Sequence, residues 1–256
     1  MNTPVDDPHA LFSPDADRAG FVRGMFSSIA LRYDLMNTLM TGGRHHAWRR
    51  LAASELVRTG DTVIDVGCGT GDLSFACLDA GAARILGVDF ARPMLPLAIE
   101  KAHRRGLDGK FGVAVGDGTQ LPLADESVDA WCSAFVVRNI PDLEMALTEA
   151  WRVLKPGGRL AVLEITKMQS GFWRPLARLH FTRIVPICGR LISGHGSAYK
   201  YLPVSVDHFD TPEEFSSRLA NAGFAVTIVQ SLMFGTIALH VARKPDATGR
   251  LSSGTV

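Results

Sequence analysis

Regular alternation of strand-like and helix-like segments limits this chain's fold more than any other feature. TVIDVG reads as a strand, GDLSFACLDAG as a helix and RILGVD as a strand. ARPMLPLAIEKAHRRG then reads as a helix, FGVAVGD and SVDAWCSAFVV as strands, PDLEMALTEAWRVL as a helix and RLAVLEI as a strand. Short connections between such segments imply βαβ units and a parallel sheet. Upstream, FVRGMFSSIALRYDLMNTLM and RHHAWRRLAASELVRTG carry apolar residues three and four apart, the helical period. Downstream, Thr211-Pro212-Glu213-Glu214 forms a capping box with proline at the first helical position, which predicts a helix to about Ala222. FAVTIVQ and TIALHVARK follow as strands. The pattern predicts one α/β domain over residues 21–244. Residues 1–20, rich in Pro and Asp, and residues 245–256 read as mobile tails.

Composition removes several alternatives. Among 256 residues, 46% are hydrophobic and 21% charged, the balance of a water-soluble globular chain. A formal net charge of +1 gives no strong field toward nucleic acid, which is not an expected partner. Cys68, Cys77, Cys132 and Cys188 form no C-x-x-C pair and no zinc spacing with histidine, so no metal is expected and a reducing, cytoplasmic setting is. The first twenty residues have no apolar core, which predicts neither a signal nor a transit peptide. No stretch is apolar for long enough to span a bilayer.

The strongest local motif is VIDVGCGTGD, with Gly67, Gly69 and Gly71 on the turn from strand to helix. A dinucleotide fingerprint would need a third glycine where Asp72 or Ser74 stands, and an acid at the helix start repels a pyrophosphate. The G-x-G-x-G spacing instead resembles the first motif of class I S-adenosylmethionine-dependent methyltransferases, whose cationic, phosphate-free cofactor tolerates nearby acids. Asp89 ends the second strand, where a carboxylate accepts ribose hydroxyls. Asp117 ends the third and, by the same resemblance, faces the adenine amino group with the backbone of Gly118 alongside. Thr70 offers a hydroxyl within the turn. A lone strand-end acid is more often a cap; three strand ends in the expected order are harder to dismiss.

MFSSIALRYDLMNTLMTGG with HAWRR, DVGCGTGD, VRNIPD, RVLKPGGRLAVLE, LISGHGSAYKYLPVSVDHF and GTIALHVARKP together resemble the quinone C-methyltransferases of menaquinone and ubiquinone biosynthesis. The resemblance implies a Rossmann-like sheet of seven strands, mostly parallel with the last antiparallel, and helices on both faces. It also implies S-adenosylmethionine as cofactor and a demethylated, prenylated quinol as substrate. It has three departures, one of them Gly118 where the family has an alanine-like residue after the adenine-facing acid. The family usually reads F-G-L-R-N, so Val136 adds bulk that could reshape the ring pocket. A serine that contacts the cofactor in relatives aligns with Ala134.

A quinol carbon becomes nucleophilic when the adjacent hydroxyl loses its proton. Arg138 is permanently protonated. It suits stabilisation of phenolate charge, not proton acceptance. Its bland alternative is a salt bridge to Asp142 or Glu144. Asn139 could donate to the same oxygen or fix the guanidinium, and Tyr33 could relay a proton or line the pocket. Asp34, Tyr33 and water stay open as the base. His45 and His46 read as surface or packing residues. Residues 165–200 hold six basic residues and no acid, interleaved with apolar ones, as expected of a lid over about 167–205. Such a lid could rest on an anionic membrane surface. A homo-oligomer is neither required nor excluded. Two readings compete with quinol C-methylation: a methyltransferase of a soluble phenolic or natural-product substrate, and a non-catalytic cofactor-binding partner in a quinone-synthesis assembly.

Overall fold

The computed structural model describes residues 8–13, 16–167, 196–246 and 248, so most of the expected lid and the end of the chain lie outside the described residues. The chain begins with α1 (Arg18–Ile29), α2 (Tyr33–Thr41) and α3 (Arg44–Leu56). It continues through β1 (Thr62–Val66), α4 (Asp72–Asp79), β2 (Arg84–Asp89), α5 (Met94–Arg104), β3 (Phe111–Val115) and β4 (Val128–Ala134). It closes with α6 (Leu143–Val153), β5 (Leu154–Ile165), α7 (Gly196–Asp207), α8 (Pro212–Asn221), β6 (Ala225–Leu232) and β7 (Ile237–Arg243). The seven strands form one sheet in the order β3-β2-β1-β4-β5-β7-β6. β1 to β5 run parallel, and β7 is antiparallel to both β5 and β6, as the resemblance implied.

Side chains alternate across a strand, and both faces of this sheet are covered, so the inner strands are apolar throughout. Val63, Ile85, Ala130, Cys132 and Leu163 face α3, α4 and α5. Ile64, Val88, Trp131, Leu160 and Val162 face α6 and α8. Helix starts follow their capping chemistry. The Asp142 side chain accepts from the backbone N–H of Met145 at 2.9 Å, and the Thr211–Glu214 box closes in both directions.

Two expectations change. Upstream of the domain, Pro8–Phe12 forms a 3-10 turn with Leu11 buried, and Phe12 stacks on His208 at 4.0 Å, so this part of residues 1–20 is packed. Second, the long N-terminal helix breaks at a 3-10 turn, Ala30–Arg32, before α2 begins at Tyr33. A third cluster, Leu11, Val22, Met25, Met36, Tyr201 and Leu202, joins α1, α2 and α7 into a cap above the strand ends.

Candidate active site

The order of β1 and its two neighbours makes a topological switch point. The chain leaves β1 for β2 on one side and reaches β4 on the other, and ligands bind in the crevice outside such strand ends. The glycine turn forms its floor. Gly67 has φ +71, and a Cβ there would lie 2.4 Å from Val136 Cγ2, so only glycine fits between β1 and that side chain. The backbone N–H of Gly69 donates to Asp89 Oδ2 at 2.7 Å, and Ala91 N–H donates to Asp89 Oδ1 at 2.7 Å. Asp89 therefore braces the turn as well as facing the crevice, and burial raises its carboxyl above the usual range despite those two bonds.

Three adjoining hollows follow this floor. One of about 450 Å³ is lined by Gly67, Asp89, Asp117, Val136 and Asn139. The next, about 360 Å³, adds Gly69, Tyr33 and Phe26. The last, about 290 Å³, is lined by Tyr33, Arg49, Asp65, Thr70, Asp72 and Ala134. Asp117 Oδ1 accepts from both the backbone N–H and the hydroxyl of Thr119 at 2.9 Å, so it shapes its own turn while facing the crevice. Gly118 packs where a Cβ would meet Val66 at 2.9 Å. Gly71 closes the turn against Phe75, with φ +89.

Beyond the crevice, under the cap, lies a larger and mostly apolar cavity, about 930 Å³ when its solvent-open mouth is included. Met25, Met36, Met40 and Met233 line it with Phe26 and Trp48. Its polar contributors include Tyr33, Asn37, His45, Arg138 and Tyr201. Tyr33 borders both this cavity and two of the crevice hollows, so it stands at the junction. Burial holds its phenol above the ordinary range, more strongly than Arg49 and Arg138 pull it down.

Arg138 does not come from a strand end. β4 stops at Ala134, Phe135 turns into the left-handed region at φ +64, and Val137–Asn139 forms a 3-10 turn. Left-handed backbone is costly for an aromatic residue. Here it turns the Phe135 carbonyl to Arg138 Nη1 at 2.8 Å. The guanidinium is paired, but not to Asp142 or Glu144, which serve α6 and Arg218. Its Nη1 meets Glu164 Oε1 at 2.6 Å, its Nε donates to Ser205 Oγ at 3.3 Å, and its backbone N–H donates to Glu164 Oε2 at 3.2 Å. None of these bonds uses Nη2. Glu164 is 1% exposed; burial raises its carboxyl and the Arg138 charge opposes that rise.

Several sequence readings shift. Asn139 lines the crevice, not the large cavity; it is 4% exposed, and neither amide atom has a hydrogen-bond partner among the described residues, so it does not hold the Arg138 guanidinium. Val136 also faces the crevice, against Gly67, and does not line the large cavity, so its bulk does not reshape a ring pocket there. Asp34 pairs with Lys101 at 2.6 Å and accepts the Thr70 hydroxyl at 2.6 Å, which commits all three. Asp34 is thereby a poor base. Glu164, Arg49, Asn37 and His45 went unselected as site residues. His45 is 1% exposed in the cavity wall, not at the surface. Burial, with Arg49 beside it, lowers its pKa to about 4. Its Nδ1 faces Arg49 Nη1 at 2.5 Å and its Nε2 faces Thr38 Oγ1 at 3.3 Å. A neutral imidazole accepting at Nδ1 carries its proton on Nε2 and is a poor base.

His45, His46 and Asp72 bring one ligand atom each within 4.8 Å of one another. His45 Nδ1 already faces the Arg49 guanidinium, and Asp72 pairs with Lys101 at 2.8 Å.

Residues 14–244 match the ubiE/COQ5 methyltransferase family. The chain is 44% identical to a demethylmenaquinone methyltransferase of Thermus thermophilus, over 86% of this chain and 100% of that protein. It is 36% identical to a ubiquinone/menaquinone biosynthesis C-methyltransferase UbiE of Dinoroseobacter shibae, over 88% of this chain and 90% of that one. Among solved structures, the [4+2]-cyclase SpnF superposes with a TM-score of 0.67 at 18% identity, covering 88% of this chain and 96% of that one. At that identity the last match speaks for the fold alone.

Proposed function

The chain belongs to the ubiE/COQ5 methyltransferase family, and on that premise we propose that it transfers a methyl group from S-adenosylmethionine to a ring carbon of a prenylated quinol. One observation carries the choice of acceptor: a mostly apolar cavity meets the crevice at Tyr33 and has a buried guanidinium in its wall. Thioether and aromatic walls suit hydrocarbon, since methionine fills irregular apolar space. The unbonded Tyr201 hydroxyl and Asn37 Nδ2, with Arg138, provide for the oxygens of a polar ring.

The crevice fits the methyl donor. Asp89 stands where a carboxylate takes ribose hydroxyls, Asp117 and the Gly118 backbone serve the base, and the buried, unbonded amide of Asn139 faces the same hollow. Gly67, Gly69 and Gly71 open the backbone to contact, Thr70 fixes the turn to α2, and Ala134 closes the far wall. When bound, the donor supplies an electrophilic methyl on a cationic sulfur. Transfer of that methyl to a ring carbon would release one proton per methyl moved. Among the described residues no carboxylate lines the large cavity, which leaves Tyr33, at its junction with the crevice, and water as routes for the hydroxyl proton. Arg138 hydrogen-bonds the resulting phenolate, and Glu164 fixes the guanidinium for that task. In a water-poor cavity one such donor lowers the barrier by about 3 kcal/mol. Tyr33 lines the methyl's path between the two spaces.

A water-insoluble substrate also favours peripheral contact with a membrane. Among the described residues no helix is long and apolar enough to cross one. Leu31, in the 3-10 turn, and Leu35 and Leu39, a turn apart on α2, are 88%, 54% and 53% exposed, which supports such a contact beside the cavity. Labelled S-adenosylmethionine, offered with demethylmenaquinol and with the equivalent ubiquinone precursor, tests the main reading. The expected product is one prenylated quinol heavier by one methyl carbon. Labelling of only a soluble phenol, or of nothing, would reject it.

A further inference from the structure

The large cavity has a direction, set by the order of the strands. The ends of β4 and β5 and the start of β7 stand side by side, and the cavity touches each: Phe135 just past β4, Ile165 closing β5 and Ile237 opening β7. Met233, in the 3-10 turn between β6 and β7, lines it too. The donor crevice lies on the other side of β4, against β1. The cavity therefore leads from the crevice across the strand ends to the β6–β7 turn. α2 forms a second wall: Tyr33, Met36, Asn37, Met40 and Thr41 recur three and four apart and face it. Tyr33 stands at the crevice, and Met40, seven residues on, lies about 10 Å farther along the helix.

Polarity changes along that direction. Arg138 follows β4, Tyr201 lies close enough to feel its charge, and Asn37 sits beside the Tyr33 phenol, so these polar groups gather at the crevice end. The β5–β7 end presents Ile165, Ile237 and Met233. There the backbone is strained: Met233, Phe234 and Gly235 are all left-handed in succession, at φ +46, +58 and +84. Two non-glycine residues in that region are costly and persist only where the surroundings hold them. Thr236 does so, its backbone N–H and its hydroxyl both donating to the Met233 carbonyl, at 3.2 and 2.8 Å. The held turn puts Met233 in the cavity wall and leaves Phe234 66% exposed beside it.

We propose that the prenyl tail of the acceptor leaves the cavity past the β6–β7 turn, and that Met233 governs which tails can do so. This rests on the acceptor reading above. The ring sits at the polar end with Arg138, the first prenyl units lie along Ile165 and Ile237, and the remainder passes Met233 to the exposed Phe234. A flexible thioether yields to hydrocarbon of varying shape. An exposed aromatic ring gives the emerging tail an apolar rim. The strained turn thereby has a use, since it holds one side chain in the wall and the next outside it.

Methylation kinetics of the full chain in detergent, with one demethylated quinol carrying a long prenyl tail and one carrying a single prenyl unit, test it. The quantity read is the ratio of kcat/KM for the long tail to that for the short one. Met233→Trp should lower this ratio roughly 10-fold, because only the long tail must cross the overpacked wall. Phe234→Glu, outside the cavity, should lower it in the same direction by setting a charge at the exit. Calorimetry of S-adenosylhomocysteine, with affinity kept within twofold, checks that each variant is folded. If Met233→Trp fails that check, the surface variant Phe234→Glu decides alone. A ratio unchanged in the folded variants, whether both substrates slow together or neither does, would overturn the exit assignment. Failure of the wild-type protein to methylate either quinol would reject the acceptor reading, and this proposal with it.

Discussion

The crevice and the cavity meet at Tyr33 but are built by opposite means. The crevice is made of backbone: a glycine turn braced by Asp89, with strand-end acids placed by the sheet. The cavity is made of side chains on the cap, soft and apolar, with one buried ion pair, Arg138–Glu164, as its charged feature among the described residues. A backbone site tolerates little change of shape and holds a ligand of fixed geometry. A methionine-lined site adapts to a flexible hydrocarbon and leaves the chemistry to a few polar groups.

That contrast can be broken from either side. The largest effect is expected at the ion pair. Glu164→Ala leaves a buried guanidinium without its counter-ion and should cost about 3–5 kcal/mol of stability in urea unfolding. A cost under 1 kcal/mol would mean the pair is solvated or replaceable. On the crevice side, Gly67→Ala forces a Cβ into Val136 at a left-handed position, and overpacking and backbone strain together cost about 2–4 kcal/mol. Adding Val136→Gly should restore part of this; no recovery would place the strain elsewhere.

A pH comparison follows, with opposite signs for two buried groups. The unfolded chain protonates His45 below about 6.5, whereas the folded one does so only near 4. In that window the unfolded state binds more protons, so this residue makes stability fall as pH falls, by roughly 3 kcal/mol across the whole window. Burial raises Asp65 from 3.8 to about 6, so there the folded state holds the extra proton and stability rises as pH falls through about 6, by a similar amount. The two offset each other in the native chain. His45→Gln should therefore be more stable at pH 5 than at pH 7.5, and Asp65→Asn less stable; denaturant midpoints that do not diverge would refute the assignment.

The smallest effect is expected at Tyr201, whose buried hydroxyl has no hydrogen-bond partner among the described residues. Removing an unsatisfied hydroxyl is nearly neutral or slightly stabilising. Tyr201→Phe should keep stability within about 0.5 kcal/mol or raise it. KM for the quinol should rise severalfold, because a neutral hydrogen bond contributes about 1 kcal/mol. An unchanged KM would remove Tyr201 from ring recognition.

The same contrast explains what could be read in the chain. The strands and the crevice acids were legible because strand periodicity and glycine spacing are local signals, and local signals place backbone; the seven-stranded sheet with its antiparallel last strand was implied only by the family resemblance. The cavity was not. Arg138 was singled out, but its partner Glu164 lies 26 residues away on β5, inside a segment that reads as turn and strand and nothing more. Arg49 and His45 sit on a helix whose basic pattern suggests solvent. Their burial depends on α3 packing against β5 and α4, which no local pattern reveals. Val136 misled for a related reason. Its neighbour in sequence, Phe135, turns through a left-handed conformation, and that one residue sends Val136 to the crevice and Arg138 to the cavity.

Single-turnover transfer from labelled S-adenosylmethionine to a demethylated prenylated quinol, in wild-type protein and in Arg138→Met, tests the division of labour most directly when paired with calorimetry of S-adenosylhomocysteine. If the crevice holds the donor and the cavity's guanidinium stabilises the phenolate, donor affinity stays within about twofold and transfer slows by about 100-fold, the loss expected for one well-placed donor. Unchanged transfer, or loss of donor binding in step with transfer, would contradict it.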